Sequence, residues 1–478
     1  MADPQPPRRH LISSLDRRIA GRRPASPVGR RAQRRALAEP QVREVLEVAV
    51  RFGEAMLSLG ATASASVEAI QRTCAAYDLP AQVDITFTSI LAAHDAVETA
   101  SVSVLRVVKG RAADYHRLSR LVALAHDVQQ HRPPLEEVHA RLDEVLEAPH
   151  RYRPTLVTAS LAAMAAAVAV LLGGGAPVVV LSAATTAAVD LVLRRLGRWG
   201  LPSFFLQAVG AAMATTVAVA LLALPGLPVS LAALPPSLVV ASGIIALLAG
   251  LSLVGAADDA INGFLVTASG RLLEVLLLTL GLVVGIGGVL DVASRLGVQL
   301  VIADSSAAPW PLPVQVLAAA VASGAWAASS FAGPRAALQA AAWGALGYVV
   351  SALLVGAGAA AAVGAALAAL VVGYGAESLA LRTRVPAAVT ATCAIVPLLP
   401  GLTIYQGLFA MISGAPPGTG GGLLLRAAMI GVGLAAGTTL GTTLASRTRE
   451  ARAAQRATRE RRGRRGRRPA DAEAPGAG

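Results

Sequence analysis

Hydrophobic and polar positions divide the chain into three parts. Between Thr155 and Ser446 only 16 side chains are ionisable, and they separate apolar runs close to the ~20 residues that cross a ~30 Å hydrocarbon core. The runs predict ten transmembrane helices, at 155–172, 176–193, 203–223, 236–257, 268–290, 312–331, 336–354, 358–381, 387–411 and 423–445. Ahead of them, residues 41–150 read as a small soluble α/β domain. "QVREVLEVAVRFGEAMLSLGA" puts Val45, Val48, Val50, Phe52 and Met56 at helical spacing, with Gly60 as a stop. "SASVEAIQRTCAAYDLP" predicts a second helix, capped by Ser66 and finished before Pro80. "VDITFTSILAAH" and "SVSVLRVV" alternate as half-buried strands do, and "DYHRLSRLVALAHDVQQ" and "PLEEVHARLDEVLEA" return to helical period. The predicted order is two helices, a strand pair and two helices.

Charge sharpens this division. The formal charge of +13 comes largely from ten arginines between Arg8 and Arg35 and eleven between Arg447 and Arg468. Mixed with Pro, Gly and Ala, residues 1–40 and 447–478 cannot bury a core and are expected to be disordered basic tails. Next to membrane spans, such tails favour the cytosolic face and anionic lipid over nucleic acid. With the amino terminus in the cytosol, every even loop carries the positive charge: Arg194, Arg195 and Arg198; Arg271; Arg335; Arg382 and Arg384; and the tail. The predicted outer loops hold one arginine between them, Arg295, so an even span count with both termini inside is expected. Cys74 and Cys393 lie far apart and predict neither a disulfide framework nor a metal knuckle. No cofactor, metal or signal peptide is expected.

The span at 236–257 has a partner. Without gaps, Pro235–Gly263 aligns on Pro386–Gly414 at an offset of 151 residues, with eight identities in 29 positions, most of them in "IIALLAGL" against "IVPLLPGL". These are the fourth and ninth spans, and an odd shift puts them in opposite orientation. Two five-span halves, 155–292 and 310–446, with inverted topology are a recurring plan of secondary transporters, whose sites form where paired helices are interrupted. Gly250 in one half, and Pro397, Pro400 and Gly401 in the other, are the interruptions; the competing reading is that they only let helices pack closely.

Acids inside apolar spans are costly and mark pathway candidates. Glu274 lies within "RLLEVLLLTLGLVVG", three residues after Arg271, with which it can pair on one face. Asp258, Asp259 and Asn262 close the fourth span at the inner face, as a pathway mouth or as interfacial caps. Asp190 and Glu377 sit near the inner ends of the second and eighth spans, as pathway acids or as partners of the arginines that follow. No histidine follows His150, so a proton relay in the membrane has to use carboxylates, hydroxyls or water.

"VDITFTSI", "RVV" with "DYHRLSRL", "GLPSFFLQAVG", "LVGAADDAINGFLVTASGRLLEVLLLTLGLVVG" and "PLLPG" together resemble the threonine/serine exporter family of bacteria, over residues 45–445. The resemblance implies a cytosolic amino-terminal domain, about ten spans in the bacterial cell membrane, and proton-driven export of small hydroxylated amino acids. It places Asp259, Arg271 and Glu274 on recurrent polar positions without assigning them a role. Where the family reads "LLPG" in the first half, this chain has Ala249 in the proline's place, which predicts a milder break. Family members' amino domains have been regarded as hydrolase-like. Here His94 with Asp95 at a strand end, and Asp114 with His116 at a helix start, are the candidates for such a site, but no G-x-S-x-G or H-E-x-x-H motif accompanies them.

The leading expectation is a secondary exporter of threonine, serine or a similar small amino acid, with lipid, substrate and protons as its partners. Glu274 would carry the proton, and Arg271 or the nearby backbone would meet the substrate carboxylate. The alternatives are a membrane-anchored hydrolase working through residues 41–150, and an exporter of another small solute regulated by that domain.

Overall fold

The computed structural model describes residues 39–95, 101–223, 236–247, 250–298, 310–412, 416 and 418–466. Most of the predicted amino-terminal arm lies outside them.

Helix α1 (Glu39–Ser58) buries Val42, Val45, Leu46, Val48, Ala49, Val50, Phe52 and Met56. It stops at Gly60, whose φ of +94° a side chain would resist. Helix α2 (Ala63–Ala76) begins four residues earlier than Ser66 would set it: Thr62 is the cap, accepting from the Ala65 N–H at 3.3 Å. Ser66 instead turns its hydroxyl back to the Thr62 carbonyl at 3.0 Å. The strand expected over "VDITFTSILAAH" is a hairpin. Strand β1 (Gln82–Ile85) turns at Thr86, whose N–H reaches the Ser89 carbonyl at 2.8 Å while its hydroxyl accepts from the Ser89 N–H at 3.0 Å. Strands β2 (Ser89–His94) and β3 (Val102–Val107) complete a three-stranded antiparallel meander in the order β1-β2-β3. Helices α3 (Tyr115–His131) and α4 (Leu135–Glu147) close this region.

The rest of the chain is helical: α5 (Pro154–Leu171), α6 (Ala176–Arg198), α7 (Ser203–Ala223), α8 (Pro236–Gly243), α9 (Gly250–Ile261), α10 (Leu265–Arg295), α11 (Leu312–Ser329), α12 (Pro334–Gly356), α13 (Ala361–Thr383), α14 (Ala387–Ala394), α15 (Gly401–Ile412) and α16 (Thr419–Gly466). Among the described residues, eight helices are long and apolar enough to cross a membrane, or nine if the bent pair 387–398 and 401–411 counts as one span. The fourth predicted span is also in two pieces, α8 and α9, and residues 248–249 between them, with Ala249, lie outside the described residues. Leu272, Leu273, Leu276, Leu277, Leu280 and Val284 of α10 face outward, a stripe that water would not tolerate and lipid does. The protein is a polytopic α-helical membrane protein.

The carboxyl-terminal tail departs from expectation. Helix α16 continues through Arg447 to Gly466, because this stretch is mostly Ala, Arg, Glu and Gln, which are helix formers, and has no proline. The remainder, 467–478, lies outside the described residues.

Helix boundaries recur along the chain. Adding 151 to Pro236, Gly243, Gly250 and Ile261 gives Ala387, Ala394, Gly401 and Ile412, the ends of α14 and α15. Adding 158 to the ends of α5 and α6 gives those of α11 and α12. Packing recurs as well. Helix α7 packs on α6, α8 and α10 as α13 does on α12, α14 and α16, and α9 lies on α10 as α15 lies on α16. Both α10 and α16 approach their neighbours through glycines four residues apart. A Cβ on Gly281 or Gly285 would fall 2.6 or 2.1 Å from a carbonyl oxygen of α7. On Gly433, Gly437 or Gly441 it would fall 2.8, 2.1 or 2.3 Å from one of α13, the close backbone approach that small residues permit in membranes.

Candidate functional site

The two broken helices meet. In the second half, the Ala387–Ala394 helix gives way to a 3-10 turn at Val396–Leu398. Pro397 and Pro400 lack the N–H groups that an unbroken helix would use, and the Gly401 N–H reaches only to the Leu399 carbonyl, at 2.8 Å. In the first half, a Cβ on Gly250 would stand 3.6 Å from Leu399, so the breaks adjoin. Carbonyls freed at the breaks are taken up by hydroxyls: Thr186 donates to Gly243 at 3.3 Å and Ser323 to Ala394 at 3.4 Å. Ser182 and Ser242 bond each other at 2.5 Å beside the first break. These buried hydroxyls were missed in the sequence, where a lone Ser or Thr in an apolar span carries no distinctive signal.

Next to the first break is a cavity of about 250 Å³. Helix α6 lends it Thr186 and Asp190, the break Gly243 and Ala246, and the end of α11 Trp326, Ser329 and Ser330. Asp190 pairs with Arg194 at 2.7 Å, as its position one turn earlier suggested. Glu377 pairs with Arg449 of α16 at 2.8 Å rather than with the nearer Arg382 or Arg384, because α13 and α16 lie side by side.

Near the start of α10, the predicted Arg271–Glu274 pair does not form. A turn through Gly263, at φ +89°, folds the start of α10 back along α9, and Arg271 lies 3.5 Å from the fully buried Asp259. Gly255 makes room, since a Cβ there would collide with the guanidinium. The other Asp259 oxygen accepts from the Ala63 N–H, the first amide of α2, at 3.1 Å. Asp258 turns away, accepting from Thr439 of α16 at 2.5 Å and from Asn262 at 3.2 Å. Glu274 is half-buried and has no hydrogen bond or ion pair among the described residues. Sequence reasoning missed Arg111, which crosses the Phe87 ring at 4.1 Å and donates to the Phe87 carbonyl at 2.6 Å. Burial, and then the like charge of Arg271, lower its pKa, while Glu274 and Asp259 oppose them.

The amino-terminal region therefore sits on the membrane helices. It touches the segment after the fourth predicted span and the end of the sixth: Thr267 donates to the Ile85 carbonyl at 3.0 Å, Tyr115 N–H to the Ser330 carbonyl at 3.0 Å, and Tyr152 to the Ala332 carbonyl at 2.9 Å. Leu118 and Leu121 share a buried cluster with Ala336, Val385, Val389 and Cys393.

The four residues proposed for chemistry in that region have structural partners or stand apart. His94 contacts the Pro80 carbonyl at 2.6 Å and Asp95 accepts from Gln82 at 3.3 Å. Asp114 caps α3 through the Arg117 N–H at 3.0 Å and faces His150 at 3.1 Å. His116 is half-buried, and burial first, then Arg151, lower its pKa. No hydrogen bond joins the first pair to the second, and no group of three or more His, Cys, Asp or Glu fit to hold a metal occurs, among the described residues.

Comparison with known proteins identifies a family. Residues 47–293 match the family model described as "Putative threonine/serine exporter", and residues 315–444 the model described as "Threonine/Serine exporter, ThrE". A "Probable threonine/serine exporter" of Mycobacterium tuberculosis (strain ATCC 25618 / H37Rv) is 36% identical over 90% of this chain and 82% of its own length. The "Threonine/serine exporter" of Corynebacterium glutamicum is 34% identical over 86% of this chain and 84% of its own. No solved structure matches. Two family models that meet near the boundary between the two sets of recurring helices, and relatives aligned along most of the chain, lead to one assignment: the chain belongs to the threonine/serine exporter family.

Proposed function

We propose that the protein is a secondary active exporter of threonine, serine or a similar small amino acid from a bacterial cell, driven by inward proton flow. The observation that carries this reading is the pair of broken helices adjoining at Gly250 and Leu399 in a chain of this family. Interrupted helices expose backbone groups that can meet a polar solute inside a bilayer, where unbroken helices expose none. Both broken segments count as spans, which makes ten in two inverted five-span halves. The shared offset of 151 and the matched packing of α7 and α13 support the duplication. Both termini lie in the cytosol. The amino-terminal region forms an α/β domain seated on the inner face, which fits its contacts with loops that carry Arg335, Arg382 and Arg384.

Glu274 is the proton-linked carboxylate. It lies on α10 near the inner cluster, and its freedom from a fixed partner suits a group that must gain and lose a proton. Arg271 is committed to Asp259, so it anchors the inner end rather than receiving substrate.

The test is efflux of labelled threonine and serine from cells preloaded with dipeptide, with and without a protonophore. Protein-dependent, protonophore-sensitive efflux is expected. Its absence, with the protein present in the membrane, refutes the reading.

A further inference from the structure

The cavity beside the first break has the composition of an amino-acid site. Its one ionisable lining group is Asp190; Thr186, Ser329 and Ser330 supply hydroxyls; Leu161, Val189, Leu193 and Leu247 supply apolar wall. At about 250 Å³, it falls just under the ~300–1,000 Å³ of sites for drug-sized ligands, the right scale for a small metabolite. Both halves contribute, since α6 and the first break come from one and α11 from the other. Its end at Ser330 lies under the amino-terminal region, where Tyr115 bonds the Ser330 carbonyl at 3.0 Å.

Asp190 is held but not consumed. Arg194 pairs with its Oδ2 at 2.7 Å, and neither a hydrogen bond nor an ion pair reaches its Oδ1 among the described residues. The guanidinium is itself fixed to α5 by the Pro154 carbonyl and the Thr158 hydroxyl. A carboxylate has about four acceptor positions, so an ammonium can be added without displacing the arginine. The frame does not need the acid either. Adding 158 to Thr186 and Asp190 gives Gly344 and Tyr348 of α12. Gly344 adjoins the Ala394 carbonyl as Thr186 adjoins that of Gly243, so the positions correspond. Tyr348 is satisfied by Gln315 at 2.5 Å. The same packing is built in the second half without a charge.

We propose that this cavity holds the transported amino acid, with Asp190 receiving its ammonium group and Thr186, Ser329 and Ser330 receiving its polar oxygens. The assignment rests on the exporter reading and names the site at which that reading operates. An α-ammonium is then the required feature of the solute, and a hydroxylated side chain a favoured one.

Two measurements on the full-length protein in proteoliposomes test it. Asp190→Asn raises the KM for threonine at least tenfold with kcat within about threefold of wild type, and Asp190→Glu restores the KM; a purely structural pairing with Arg194 would instead be relieved by adding Arg194→Gln to Asp190→Asn, which leaves no stranded charge and here leaves the KM raised. Independently, threonine slows alkylation of a cysteine placed by Ala246→Cys at least fivefold, and N-acetylthreonine, which has no ammonium, does not. The native Cys74 and Cys393 are buried and leave that signal clear. Wild-type export with an unchanged KM in Asp190→Asn, or alkylation at one rate with and without threonine, overturns the site assignment alone. A wild-type protein that moves neither threonine nor serine overturns the exporter reading and the assignment with it. If Asp190→Asn does not fold, the alkylation result decides.

Discussion

Neutralising Asp259 should loosen the amino-terminal region from the membrane helices. Its carboxylate is fully buried between the Ala63 N–H at 3.1 Å and Arg271 at 3.5 Å. Asp259→Asn keeps an oxygen to accept from Ala63 but removes the charge. An anion at a partly buried helix N-terminus is worth up to ~2 kcal/mol, and removing one member of a buried ion pair costs ~3–5 kcal/mol because the other charge is stranded. The two terms describe one charge and do not add, and the Arg271 side chain keeps 13% exposure, so about 3 kcal/mol, at the low end, is the expected loss. At 1.36 kcal/mol per factor of ten, this is a little more than a hundredfold. The assay is amide hydrogen exchange of the full-length protein in nanodiscs. The first turn of α2 and the β1–β2 turn that carries Phe87 should exchange about a hundredfold faster in Asp259→Asn. Asp258→Asn, whose carboxylate faces Thr439 instead, should leave both unchanged. Adding Arg271→Leu to Asp259→Asn removes the stranded charge and should recover most of the protection. Exchange within twofold of wild type in Asp259→Asn would refute the view that this buried pair anchors the region.

Further outcomes follow from other contacts. Gly437→Val puts a Cβ 2.1 Å from the Ala366 carbonyl oxygen and should cost at least the ~1–3 kcal/mol of an overpacked core, read as a lower thermal midpoint in detergent; Gly421→Val, with open space around it, is the control. The pKa of His116 lies below its ordinary 6.5 in the folded protein, so its neutral form stabilises the amino-terminal region above that pH, and the contribution is lost as pH falls through the lowered value. His116→Gln should flatten the acid limb of a stability–pH profile measured between pH 5 and pH 8. Glu274→Gln should abolish the pH dependence of export while leaving the helical circular dichroism unchanged; normal proton-coupled export by that variant would remove Glu274 from the mechanism.

Most of the membrane helices were legible because the bilayer imposes one length and one polarity on each. The second break was legible too, since Pro397 and Pro400 remove amide donors wherever they stand. The first break was harder to read: Gly250 alone marked it, yet α8 ends at Gly243 as its counterpart α14 ends at Ala394. There the helix ends without a proline to mark it. Arg271 shows the limit of reasoning within one helix. Spacing of three residues made Glu274 its natural partner, but the turn at Gly263 brought Asp259 from the preceding helix. Thr86 misled for a related reason, since a β-branched residue reads as strand until its hydroxyl is seen closing a turn. The hydroxyls at the breaks had no local signal at all, because their value lies in carbonyls supplied by other helices.

The most direct test of transport is proton-driven release from liposomes that contain only the purified protein. Vesicles loaded with labelled threonine, bathed in a higher concentration of threonine at the same specific activity and given an imposed proton gradient, acidic on the side toward which export runs, should release threonine against its concentration gradient, and collapsing the proton gradient should stop the release. Release that ignores the gradient would contradict proton coupling, and no protein-dependent release of threonine or serine would contradict the exporter account itself.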